Sequence, residues 1–277
     1  MRLIHGSRLK RGKIVDYKFE IASSWDELTT YQHVHVIKVL RQNADRFTKT
    51  ACLLAILYQD HWDILSDISD DDLHGLAPLT NFIFDEKPPV TNPFPMIRSR
   101  KKEYFAPGDD LGNLVFGEFC FAYQFQKDYR EFDDVKILDK LLGTIYRLKD
   151  PAQVPDSVDF RGDIREIFNE NTIDHRARQF ADVPFMAKLA IYTWFISALY
   201  LVMEARPKTF PLTNPQDTPL DEPDQDAGRT WLTVFRELIG PKWGTQEQLK
   251  FTNAMFVLDG LEDARIEYEK TMAPRSS

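Results

Sequence analysis

Residues 189–203 read LAIYTWFISALYLVM, about 15 positions with no charge and no polar stripe at helical period. A helix that is apolar all round has to be covered all round, so the remaining elements must be arranged about this one. The run is shorter than the roughly 20 residues needed to cross a bilayer. It is therefore read as the central buried helix of a globular fold, with no membrane span. Covering it takes apolar surface from elsewhere in the chain. The 20 Phe, 10 Tyr and 5 Trp supply that surface, which argues against a disordered chain.

Strand pattern is clearest at the start, and little β structure is expected elsewhere. In residues 13–22, Val15, Tyr17, Phe19 and Ile21 alternate with Asp16, Lys18 and Glu20, the mark of a half-buried strand. The preceding Arg2-Leu3-Ile4 can pair with it as a hairpin. The period then changes at Ser24–Glu27, where Ser24 and Glu27 have capping-box spacing. Amphipathic helices are expected over 30–41 and 46–59, followed by one that Ser69 caps and that Asp70, Asp71 and Asp72 favour at its positive end. Further helices are expected over 114–132 and 135–148, joined by a short break at Asp133-Asp134 into a helical hairpin, then from near Pro184, over 229–238, and over 246–272 with Thr245 and Gln248 as a capping box.

Three irregular stretches separate these helices. Residues 87–110 hold Pro88, Pro89, Pro93 and Pro95, which forbid a regular helix and leave room for a short strand. Residues 149–163 form a second connection. Residues 207–228, with Pro207, Pro211, Pro215, Pro219 and Pro223 among acidic side chains, are expected to be an exposed, mobile loop. The fold class is mainly α, a multi-helix bundle-like domain with a small N-terminal β hairpin. It is divided into a hairpin-plus-helices part, 1–86, and a helical part, 87–277, unless the two form one domain.

The chemistry-bearing residues mostly argue against sites. With 43 acidic against 35 basic residues the net charge is −8, which opposes non-specific attraction to nucleic acid. Cys52 and Cys120 both lie in apolar helical text, where a thiol packs as a small hydrophobe, so no disulfide framework is expected. His33 and His35 are two apart and point to different faces of a helix, and His61, His74 and His175 are isolated, so no metal is expected. Asp217, Asp221, Asp224 and Asp226 lack the glycine and the terminal glutamate of a calcium loop. The glycines of GDDLGNLVFG follow no strand and precede no Lys-Ser/Thr, so no phosphate cradle and no cofactor are expected. No serine or cysteine has the neighbours of a nucleophile, and the chain is not expected to be an enzyme. The start, MRLIHGSRLKRGK, has basic residues without a following apolar run and does not read as a secretory signal.

One dense polar segment stands apart. Arg161, Asp163, Arg165, Glu166 and His175, with Asp174, Arg176 and Arg178 nearby, place both signs of charge close together. They read as a salt-bridged turn that docks a loop on neighbouring helices. The rival reading is a polar pocket for a small ligand or substrate. A third candidate is Arg98, Arg100, Lys101 and Lys102, which suit a nucleic-acid-associated accessory protein or an acidic protein partner.

The order of segments, SSWDELTTYQ, GEFCFAYQF, LLGTIYRL, RGDIREIFN and WLTVFRELIG followed by WGT, resembles a family of proteins encoded among the virion and tail-assembly genes of tailed bacteriophages and prophages. The resemblance spans roughly residues 19–269. It implies a minor structural component or a tail-assembly chaperone, phage structural or assembly proteins as partners, and the host cytoplasm or the virion as the place of work. It supplies no catalytic residues. Assembly chaperones are often shorter, and this chain has a substantial aromatic core of its own, which counts against the chaperone version and leaves a structural component open.

Overall fold

The computed structural model describes residues 1–10, 13–65, 70–85, 89–211 and 230–272. The expected cap at Ser69 and most of the proline-rich acidic loop lie outside them. The chain is mainly helical, with a small antiparallel hairpin at its N-terminus. It divides into two compact units, one of residues Met1–Pro93 with Leu189–Trp194, the other of Phe94–Lys188 with Phe195–Ser277.

In the first unit, strands β1 (Arg2–Lys10) and β2 (Lys13–Ile21) pair antiparallel from Arg2↔Ile21 to Lys10↔Lys13. Burial deepens along the expected inner face of β2, from the exposed Val15 through the half-buried Tyr17 and Phe19 to the buried Ile21. The capping box expected at Ser24 does not form. Residues Trp25–Glu27 make a 3-10 turn, and the Glu27 carboxylate accepts hydrogen bonds from the amide and hydroxyl of Ser23 instead. The box sits one turn later, where Thr29 and Gln32 cap α1 (Thr30–Leu40) reciprocally. Asp45 then caps α2 (Arg46–Leu57), and three short helices follow, α3 (Trp62–Leu65), α4 (Asp70–Leu76) and α5 (Asn81–Asp85). Trp194 is fully buried and its indole N–H donates to the Val90 carbonyl.

The second unit opens with β3 (Met96–Ser99) and β4 (Lys102–Phe105), so the proline-rich stretch carries a hairpin rather than a single strand. Its tip, Arg100-Lys101, has φ of 46° and 67°. Positive φ at both central residues of a two-residue hairpin is the type I′ pattern, which matches strand twist and favours Asn-Gly. Arginine and lysine pay a steric cost there that the docked tip overcomes, with the Ser99 hydroxyl donating to the Gln179 carbonyl. Replacing the pair by Asn-Gly is expected to raise stability by about 1 kcal/mol, read as an increased urea midpoint.

Helix α6 (Phe116–Phe132) is followed by α7 (Val135–Ile145), the turn being made by Asp133 in left-handed conformation and by Asp134 as the cap of α7. Helix α7 stops three residues earlier than its apolar spacing suggests, because Arg147-Leu148 leaves the helix as β5 and pairs with β4. Helices α8 (Ile173–Phe180) and α9 (Phe185–Glu204) come next. Helix α9 runs to 20 residues, long and apolar enough to cross a membrane, and 72% of its apolar window is buried inside the protein. Its Lys188 is buried and ion-paired at 2.5 Å with Asp139 of α7.

After α10 (Trp231–Leu238), the single long helix expected over 246–272 is broken into α11 (Gln246–Phe251) and α12 (Ala254–Met272). Thr245 and Gln248 form the expected box. The break has a partner that no local pattern reveals: the Phe116 amide donates to the Thr252 carbonyl, and the Ala254 amide to the Leu114 carbonyl. This short bridge anchors the start of α6.

Candidate functional site

Asp163 and Arg165 of the dense polar segment do come together, but with two residues from elsewhere. Arg165 is almost fully buried, and its guanidinium reaches Glu118 in the first turn of α6 at 2.9 Å and Asp163 at 2.8 Å. Arg147 of β5 is equally buried and meets Glu118 at 2.8 Å and Asp163 at 3.0 Å. Each cation thus touches both carboxylates, and each carboxylate both cations. The charges cancel, which is the condition for keeping ions away from water. Glu118 also gains from its place at the positive end of α6.

Backbone carbonyls complete the cluster. Arg165 donates to the Ile145 carbonyl at the end of α7 at 2.7 Å, and Arg147 donates to the Glu166 carbonyl. Burial pushes the Arg165 guanidinium down, but Glu118 and Asp163 outweigh it and its pKa is raised. For Arg147, burial wins and its pKa is lowered, Glu118 and Asp163 offsetting only part of the loss. Its Nε is buried without an acceptor.

Nearby, Arg176 of α8 is buried with neutral partners, the Gly143 carbonyl at 2.5 Å, the Asn169 carbonyl at 3.4 Å and the Thr172 hydroxyl. Burial, then the like charge of Arg147, lowers its pKa to about 10, so it stays charged at neutral pH.

The cluster closes the base of a loop. Lys149 and Arg165 form an antiparallel bridge, the Asp150 amide donates to the Ile164 carbonyl, and the Glu166 amide donates to the Leu148 carbonyl. Between these ends about 15 residues bulge outward, an Ω-loop by its close ends and internal packing. The buried Gln153 accepts from the Arg161 amide, and the Arg161 side chain pairs at 2.8 Å with Asp150. At the outer surface, Val154 is about half exposed and Val158 wholly so.

The five residues expected to form one cluster are therefore dispersed. Asp163 and Arg165 lie in the buried network, Arg161 pairs on the loop surface, and Glu166 contributes its backbone carbonyl to Arg147. His175 lies exposed on α8. Sequence reasoning missed Glu118 and Arg147. Each is a lone charge in apolar text, GEFCFAYQF and LLGTIYRL, and that isolation is the signal that could have marked them.

Among the described residues no group of three or more His, Cys, Asp or Glu gathers as for a metal. His33 is buried, and burial lowers its pKa to about 4 against the opposing effects of Asp26 and the Trp25 backbone. His35 instead stacks on Tyr31. Cys120 is fully buried and its thiol is pushed up by that burial, away from thiolate, whereas Cys52 is partly exposed. Arg98 pairs with Glu103, and Arg100 lies 3.5 Å from Asp182. No family model, no curated protein and no solved structure matches this chain.

Proposed function

We propose that this chain is a non-enzymatic structural or assembly protein of a tailed bacteriophage, and that it contacts other virion or assembly proteins through the loop of residues 150–164. The observation that carries this is the contrast within that loop. Its base is locked by three buried charges and the partly buried Asp163, and its outer turn displays Val154 and Val158 to water. A loop needs no such lock merely to connect two elements, whereas a loop held on a rigid scaffold is a usual place for recognition. A pre-ordered loop also binds with less entropy loss than a mobile one. The phage context is supported by the resemblance of the segment order and enters on that ground alone.

The pocket and nucleic-acid readings draw less support. Arg165 and Asp163 spend their hydrogen bonds on each other, on Glu118 and on backbone, and the basic side chains Arg98 and Arg100 face acidic neighbours.

The test is mass spectrometry of proteins that co-purify with the tagged chain from phage-producing cells, beside a proteome of purified particles. The expected result is recovery of virion proteins with the native chain and about tenfold less with Val154→Asp/Val158→Asp, a loss of roughly 1.4 kcal/mol or more in binding. Both positions are exposed, so the urea midpoint should hardly move. Capture of no virion protein, or equal capture by the variant, contradicts the proposal.

A further inference from the structure

The first unit contains a cavity of about 350 Å³, lined among others by Arg2, Ile4, Tyr17, Tyr58, Ile64 and Leu79. We infer that this cavity binds a small amphipathic carboxylate, with Arg2, Tyr17 and Tyr58 taking the carboxylate and Ile4, Ile64 and Leu79 taking its hydrocarbon tail. The inference is independent of the loop in the second unit.

Size and lining set the ligand class. The volume is at the lower end of small-molecule sites, which span roughly 300–1,000 Å³. Ile64 and Leu79 are buried side chains that give the cavity an apolar wall. The lining also includes the Arg2 guanidinium, the Tyr17 and Tyr58 phenols and the His5 imidazole, and the guanidinium and phenols can donate several hydrogen bonds to two oxygens and balance one negative charge. The guanidinium carries a single charge, which a monoanion matches better than a dianion, and an uncharged alcohol would forgo the charge-assisted hydrogen bond.

The polar end is built by specific packing. Tyr17 pairs with Gly6 across the hairpin, and its ring lies over that glycine so closely that a Cβ there would come within 2.5 Å of the Tyr17 hydroxyl oxygen. Only glycine leaves room for this placement. Tyr58 follows the last turn of α2, nearly buried, with its ring held edge-on by Phe19, which in turn stacks on His61. Burial raises the Tyr58 pKa, the Tyr17 phenol adds to that, and the Arg2 guanidinium opposes it. The Tyr58 phenol therefore remains a protonated donor at neutral pH.

The experiment is calorimetric titration of the full chain with hexanoate, hexan-1-ol and inorganic phosphate. Saturable hexanoate binding is expected, with a Kd below about 1 mM and about tenfold weaker binding of hexan-1-ol. Arg2→Gln should weaken hexanoate about tenfold. Gly6→Val, which displaces Tyr17, should do the same. Tyr58→Phe keeps the ring packing and removes one donor, so it should weaken hexanoate several-fold in a protein that still folds. Absence of saturable binding overturns the inference. So does equal binding by Arg2→Gln or hexan-1-ol, or phosphate binding as tight as hexanoate.

Discussion

Glu118→Gln is expected to destabilise the protein by about 3–5 kcal/mol, because it removes one carboxylate from a buried, charge-balanced group and leaves two guanidinium ions to share Asp163. The substitution is nearly isosteric, so cavity formation contributes little and the effect reads the charge. Glu118 and the Arg165 side chain are wholly buried and Arg147 nearly so, which leaves water no means of replacing the lost partner. Arg161→Ala is the matched control, since it breaks the surface pair with Asp150, whose arginine side chain is 42% exposed. A cost of about 0–1 kcal/mol is expected for it. Urea denaturation of both variants decides the matter. Equal small losses would mean that the buried network holds nothing together.

Gly143→Ala is expected to cost about 2–3 kcal/mol by overpacking, although alanine is the better helix former. A Cβ on Gly143 would lie 2.8 Å from both the Ala177 nitrogen and the Ile173 oxygen. Both contacts are backbone atoms of α8, so no side chain can swing aside and the two helices have to separate. The same shift disturbs the Gly143 carbonyl that accepts from the buried Arg176. Gly75 of α4 shows the opposite case, with nothing within 4 Å of the added carbon. Gly75→Ala should be neutral or stabilising by up to about 1 kcal/mol, so thermal melts should show a lowered midpoint for Gly143→Ala and an unchanged or raised one for Gly75→Ala.

Local signals marked the elements well and their interruptions poorly. The alternation of Val15, Tyr17, Phe19 and Ile21 gave the N-terminal hairpin its strand, and Thr245 with Gln248 marked a helix start. The end of α7 and the break at Thr252-Asn253 were illegible, because each is set by a backbone partner far away in sequence, β4 in one case and the start of α6 in the other. At Ser24 the spacing was right and the geometry was not, since Glu27 found a better donor in Ser23. The polar segment was legible as a salt-bridged turn through Asp163 and Arg165. Its other half was hidden by distance along the chain, Glu118 being 47 positions from Arg165. Charge density marked Asp163 and Arg165 together with the exposed Arg161 and His175, whereas Glu118 and Arg147 each sit singly in apolar text.

The most direct test of the locked loop is amide hydrogen exchange over residues 149–166 in the native chain and in Glu118→Gln, under conditions where both remain folded. The amides of Asp150, Gln153 and Glu166, bonded to Ile164, Asp150 and Leu148, should be protected in the native chain. In the variant they should lose that protection while the amides of α9 keep theirs. Exchange of these three amides at the rate of an unstructured peptide in the native chain would contradict the lock, and with it the reading of this loop as a preformed docking surface.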